Sequence, residues 1–336
     1  MRLAFIGFRH AHIEALYELA RKHADVEIVA ACEDHAPTRD ALAKAGRITL
    51  THDDYRELLA EVDCDAVAVG DYYARRGEIL LAALEAGRHV IADKPLCTRL
   101  DELDRIAELS RTRKLCVGCQ LDMRDRGTSL TARKLLQHGA IGEVQTVTFL
   151  GQHPLMYGSR PGWYFEPGQH GGTINDIAIH AVDMIRWATG RRIVEVVAAR
   201  AWNTGRVPCD FFQDGAQLML RLDNDGGVLG DVSYLMPDAC GYSLPLYWRV
   251  TLHGSDGVLE ILPVEDTVLL AGKGEKGFGK VTLEPGIPDG VLDSFVREAR
   301  GETEGLSPST AEVLESSRVA LLAQHAADHD LRSVAV

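Results

Sequence analysis

A chain of 336 residues is longer than one hydrophobic core ordinarily organises, so two domains are expected. Hydrophobic residues at 46% and charged residues at 25% are ordinary for a soluble globular enzyme, and a formal charge of -13 argues against nucleic acid or an anionic membrane surface as the main partner. No apolar run is long enough to span a bilayer, the first strand follows Met1 with no signal peptide, and seven scattered cysteines form no disulfide framework, so a cytoplasmic protein is expected.

The first part of the chain alternates strands with helices. Strands are predicted over 2–7, 26–32, 66–69, 89–92 and 115–120, and helical patterns over 13–20, 38–45, 55–59, 78–86 and 100–111. This order gives a doubly wound parallel sheet of Rossmann type, which binds ligands beyond the carboxyl ends of its strands. There the chain offers a glycine turn for a pyrophosphate and, about 20 or more residues on, an acid for ribose hydroxyls, Glu33 backed by Asp34. The turn Gly7-Phe8-Arg9-His10-Ala11-His12 keeps the first fingerprint glycine but has Arg9 and His12 in place of the second and third. Arg9 offers the pyrophosphate a cationic fork instead of close backbone approach, and the following helix N-terminus still supplies N–H donors. His10 and His12 have no third ligand near in sequence, so no metal is expected. Cys116 and Cys119 lie in a strand, where residues three apart point to opposite faces, and read as structural.

From residue 122 the pattern changes. A helix over 131–138 and a strand over 144–150 lead into a loop over 157–169 and then Gly171-Gly172. In the stretch after this pair, Asp176, His180 and Asp183 fall at i, i+4 and i+7, on one helical face, with Ile174, Ala178, Ala181 and Ile185 as a separate apolar stripe; Gly190 is the predicted stop. An acid and an imidazole one turn apart read as a general acid/base unit or as a solvated polar face. Strands follow over 194–202, 217–222, 228–235, 248–252, 258–261 and 267–271, with helices over 290–300 and 309–328. The expectation is a Rossmann domain over 1–121 and, over 122–336, an α/β domain with a large open, mostly antiparallel sheet. Near the loop, His153, Arg160, Trp163 and Tyr164 are candidates for gripping a polyol or sugar ring, though Trp163 and Tyr164 are equally readable as anchors of the loop on the core.

Several segments carry a resemblance. They are Ala83-Leu84-Glu85-Ala86-Gly87-Arg88-His89-Val90 leading into Asp93-Lys94-Pro95, then Arg124, Gly139 and Gly142, Gly171-Gly172 with Asp176, His180 and Asp183, and His253-Gly254-Ser255-Asp256-Gly257 with Leu259-Glu260. Over its whole length the chain resembles the glucose–fructose oxidoreductase, inositol dehydrogenase and rhizopine-catabolism family (Gfo/Idh/MocA). The resemblance implies an NAD-dependent oxidoreductase acting on a hydroxyl of a sugar, cyclitol or polyol, with a catalytic trio on Lys94, Asp176 and His180. It implies cofactor contacts from Gly7, Phe8, Arg9, His10, His12, Glu33, Asp34, Asp71, Asp93 and Lys94. Substrate contacts are expected from Lys94, Arg124, His153, Arg160, Trp163, Tyr164, Asp176 and His180, and a homo-oligomer through the open sheet. The carboxylates at 33 and 34 favour NAD over NADP. A hydrolase or isomerase that keeps NAD bound, and a sugar or dinucleotide sensor, are the competing readings. Two departures stand out: the altered phosphate turn, and Asp71-Tyr72-Tyr73-Ala74-Arg75-Arg76 where the family has a stretch like T-P-N-x-x-H.

Overall fold

The computed structural model describes residues 1–336, which divide into two compact units. The first comprises Met1–Leu121, Pro161–Gly171 and Asp289–Ser317. Its strands β1 (Arg2–Ile6), β2 (Glu27–Cys32), β3 (Ala66–Val69), β4 (His89–Ala92) and β5 (Val117–Cys119) form a parallel sheet in the order β2-β1-β3-β4-β5. Helices α1 (His12–Lys22), α2 (Ala36–Ala45), α3 (Tyr55–Glu61), α4 (Tyr73–Glu85) and α5 (Leu100–Arg113) make the connections. β3 and β5 are fully buried apolar runs, and β1, β2 and β4 are buried over their carboxyl-terminal residues, as a sheet covered on both faces requires. Their carboxyl ends are level, since Ile6 pairs with Cys32 and Val69, Val69 with Ala92, and Ala92 with Cys119. The residues that follow each strand therefore emerge along one edge.

The opening segment of the first unit ends at Leu121, and 161–171 and 289–317, which the sequence reading assigns to the second domain, lie in that first unit. The reason is apolar burial. Val291, Leu292, Phe295 and Val296, on a helix over 290–299, complete the core formed by Leu3, Phe5, Ile13, Leu16 and Ile91.

The second unit comprises Asp122–Arg160, Gly172–Pro288 and Arg318–Val336. Its elements are α6 (Gly127–Gln137), β6 (Val144–Pro154), α7 (Ile179–Thr189), β7 (Ile193–Trp202), β8 (Gly215–Leu222), β9 (Gly227–Met236), β10 (Arg249–Gly254), β11 (Val258–Leu262), β12 (Thr267–Ala271), β13 (Gly279–Lys280) and β14 (Arg332–Ala335), with the helix Gly290–Ala299 (α8) assigned above to the first unit and α9 (Thr310–Asp328) ending in the second. The sheet order is β13-β12-β11-β10-β6-β9-β8-β7-β14, antiparallel except for β6 with β9. Ala216, Leu218, Leu220 and Leu222 of β8 are buried while Gln217 and Met219 are exposed, the alternation of a sheet covered on one face.

The stretch predicted as one helix after the glycine pair is a π-helical turn, Ile174–Ala178, followed by α7, which ends at the left-handed Gly190 as expected. A Cβ on Gly172 would lie 2.1 Å from Gln324 Cδ, and Gln324 Oε1 accepts the Ile174 N–H at 2.9 Å, so the chain enters tightly against its own cap.

Phe295→Ala is expected to lower stability by about 3–5 kcal/mol, as for a large buried aromatic. Urea denaturation followed by a probe in the first unit checks this; an unchanged midpoint would mean that α8 does not belong to that core.

Candidate active site

The level strand ends bring Gly7, Glu33, Asp71 and Asp93 to one edge of the first unit. Gly7 turns the chain at a φ of +79°, and a Cβ there would stand 2.8 Å from the Asp71 Cβ, so the first fingerprint glycine is required. Glu33, expected at a ribose, is instead buried with both oxygens engaged: Oε2 accepts the Phe8 N–H at 2.6 Å and Oε1 the His35 N–H at 2.8 Å. Burial raises its pKa, and the two amide hydrogen bonds act against that rise. Glu33 thus holds the turn, and Asp34, partly exposed and paired with Arg75, is the carboxylate that reaches solvent. Arg75 also binds Asp71, at 3.0 Å, so Asp71 is buried in an ion pair. Phe8 packs against Phe5 and Tyr17 in the core, a different role from the cofactor contact expected of it. The Arg9 guanidinium lies 5.4 Å from the Tyr72 ring centre.

Asp93 is fully buried. Burial alone would raise its carboxyl, but His10, Arg76 and His12 around it hold it well below the usual range. Arg76, also fully buried, donates to the Asp93 carboxylate at 3.1 Å and to the carbonyls of Asp71, Asp93 and Pro95 at 2.8, 2.8 and 2.9 Å. The turn that carries Lys94, itself buried, is thereby fixed from both sides. Burial pushes His10 down to about 4 despite Asp93, so at neutral pH the ring is uncharged and its Nδ1–H donates a hydrogen bond to that carboxylate. Nε2 then accepts from Tyr73 Oη at 3.3 Å, and Tyr73 Oη lies 2.8 Å from Tyr164 Oη. Trp163 and Tyr164 are buried rather than open to a ligand: Trp163 Nε1 donates to the Arg9 carbonyl at 2.9 Å, so the segment is anchored on the phosphate turn. Sequence reasoning missed Arg76 and Tyr73, although both lie in the stretch that departs from the family pattern.

In the second unit, Asp176, His180 and Asp183 are 2%, 8% and 1% exposed, which excludes the solvated-face reading. The shared face expected from a 3.6-residue period does not extend through the π turn, which holds extra residues per turn and rotates what precedes it. Asp176 is oriented instead by the Tyr234 hydroxyl, which donates to its Oδ2. His180 meets Trp248 edge-on with ring centres 5.9 Å apart. His153 contacts the rings of Tyr234 and Trp248 as well, at 6.2 and 5.9 Å, so it belongs to the same cluster. Arg160 donates to the carbonyls of Leu155 and Pro154 at 2.9 and 3.0 Å and lies 5.1 Å from the Tyr234 ring centre. Arg124, expected at the substrate, is bound in a buried bidentate ion pair with Asp183, at 2.7 and 2.5 Å. Tyr234 and Trp248 carry no signal in the sequence, since each sits in a strand pattern that reads as core.

Two family descriptions match this chain: an oxidoreductase family with an NAD-binding Rossmann fold over residues 1–121, and a Gfo/Idh/MocA C-terminal domain over 129–260. The chain belongs to the Gfo/Idh/MocA oxidoreductase family. Among curated relatives of this Gfo/Idh/MocA chain, a myo-inositol dehydrogenase of Streptomyces leeuwenhoekii is 30% identical over 68% of this chain and 67% of its own. An inositol 2-dehydrogenase/D-chiro-inositol 3-dehydrogenase of Lactiplantibacillus plantarum is 25% identical over 77% and 69%. Other matches are shorter: an oxidoreductase of Schizosaccharomyces pombe and a levoglucosan dehydrogenase of Pseudarthrobacter phenanthrenivorans are spanned over 43% and 36% of their lengths, so the chain covers less than half of these relatives. The fold is shared with an inositol dehydrogenase homologue of Azotobacter vinelandii solved with NAD+, with a TM-score of 0.82 at 19% identity, covering 100% of this chain and 97% of that one.

Arg124→Ala leaves Asp183 a buried charge without its partner and is expected to cost about 3–5 kcal/mol of stability. Chemical denaturation measures this. An unchanged stability with weakened substrate binding would return Arg124 to the substrate.

Proposed function

We propose that the protein is an NAD-dependent dehydrogenase that oxidises a hydroxyl of a cyclitol, sugar or related polyol. The observation that carries this reading is the buried Asp176 and His180 pair, each seated against an aromatic side chain of the second unit. The relatives named as inositol dehydrogenases make a cyclitol the first substrate to try.

The residues of the first unit fit a dinucleotide. Gly7 gives the tight turn, the start of α1 offers backbone amides and Arg9 a cation for the pyrophosphate, and Asp34 offers a carboxylate for a ribose. When bound, NAD supplies the hydride acceptor. His180 takes the hydroxyl proton, since imidazole is the side chain that exchanges protons near neutrality. Lys94 carries a cation able to balance negative charge developing on a substrate oxygen. Asp176, fixed by Tyr234, binds a neighbouring hydroxyl, with His153 beside it.

No helix is long and apolar enough to cross a membrane, and a cytoplasmic location is part of this reading. So is a homo-oligomer formed through the uncovered sheet face, where the paired residues Met219 and Leu229 are about half exposed.

Calorimetric titration is expected to show NAD bound more tightly than NADP, because the Asp34 carboxylate repels a 2′-phosphate. Asp34→Ala should narrow the gap by about tenfold, the factor that 1.4 kcal/mol represents. Clearly tighter binding of NADP by the unaltered protein would overturn the preference. With myo-inositol and NAD, followed by NADH formation, His180→Ala is expected to lower kcat about 10²–10⁴-fold and Lys94→Ala at least as much. Dinucleotide affinity should stay near its original value in both. Full activity in His180→Ala would remove that residue from the chemistry, and turnover without net NADH would point to a hydrolase or isomerase.

A further inference from the structure

We propose that His10, His12 and Asp93 form a binding site for a divalent transition-metal ion. His10 lies in the turn after β1, His12 opens α1 and Asp93 follows β4, so the cluster exists only once the parallel sheet has levelled the strand ends. One ring nitrogen from each histidine and a carboxylate oxygen of Asp93 all lie within 4.8 Å of one another. Donors around one ion, at bonds of about 2.0–2.1 Å, stand at most about 4 Å apart, so small ring movements close the set. His12 is the exposed member and is free to make that adjustment, while His10 and Asp93 are buried.

The second observation is the state of the Asp93 carboxylate. Its Oδ2 is used by Arg76 and His10, but its Oδ1, buried from water, takes no hydrogen bond and faces His12 Nδ1 at 3.3 Å. A carboxylate oxygen withdrawn from solvent and aimed at an imidazole nitrogen is half of a coordination shell. Arg76 is the opposing influence, since its charge weakens the hold on any cation; it lies against Oδ2, which leaves Oδ1 as the ligand.

The donor set decides the class of ion. Two imidazoles and one carboxylate suit zinc, iron, cobalt or nickel, whereas magnesium and calcium prefer shells of oxygen. Three protein ligands leave at least one position open to an oxygen donor. His10 binds through Nδ1 as the other tautomer, and its Nε2–H then donates to Tyr73 Oη, the partner that already lies 3.3 Å away. The hydrogen bond between His10 Nε2 and Tyr73 Oη then runs in the opposite direction. This site does not rest on the dehydrogenase reading.

The test is calorimetric titration of the full-length protein, stripped with a chelator, with Zn2+ in the absence of dinucleotide. One saturable site per chain is expected, weakened at least about tenfold in His12→Ala and in Asp93→Asn. His12 is exposed, so its variant tests the site without disturbing the core. The competing location is His325 and His329, whose rings lie 4.2 Å apart at the end of α9; His329→Ala is expected to leave the affinity unchanged. Absence of a saturable site, an affinity unchanged in His12→Ala, or a loss confined to His329→Ala overturns the proposal.

Discussion

A buried guanidinium organises the strand-end edge of the first unit. Arg76 has no access to water, and a charge so placed is tolerated only with its hydrogen bonds satisfied and a counter-charge in reach. Asp93 provides the counter-charge, and three carbonyls just beyond the ends of β3 and β4 take three further donors. The consequences run outward. Asp93 stays ionised, an ionised Asp93 holds His10, His10 holds Tyr73, and Tyr73 meets Tyr164 on the segment that returns over the phosphate turn. The backbone that carries Lys94 is rigid because the same guanidinium binds the carbonyls before and after it.

The second unit meets the cost of buried charge with partners of other kinds. Asp183 has the two-pronged grip of Arg124, and Asp176 has a phenol. The π turn between Gly172 and α7 is a local departure from the cheapest helical geometry, of the kind that accumulates where side chains must be aimed. Gln324 from α9 makes this start tolerable by accepting the Ile174 amide. The acid–imidazole pair therefore sits on an element whose irregular beginning is supported from outside.

Much of the fold was legible because its signals are local. The strands 66–69, 89–92 and 267–271 have the bounds that their apolar runs suggest, and Gly190 ends its helix as a left-handed glycine should. What was not legible depends on contacts far apart in sequence. Glu33 stands where a ribose acid stands, and only the closed turn reveals that the Phe8 and His35 amides already occupy it. Arg124 and Asp183 are 59 residues apart, and neither charge announces a partner. The third member of the histidine cluster escaped notice for the same reason, being 83 residues from His10. Trp163 and Tyr164 could be read as a grip or as an anchor because an aromatic pair in a loop serves either purpose until its burial is known.

The return of α8 to the first unit has a bearing on how the protein is made. A ribosome releases residues 1–121 long before 290–299, and domains completed early in synthesis fold early. Here the strands β1 to β5 can emerge with every residue of the sheet present, yet the core around Leu3, Phe5 and Ile13 lacks part of its cover until Val291, Leu292 and Phe295 have been translated. The nascent chain must carry a partly open hydrophobic face from the completion of β5 until α8 has been made. A stop codon shortly before 290 would not yield a smaller working protein but one half-finished at its first domain.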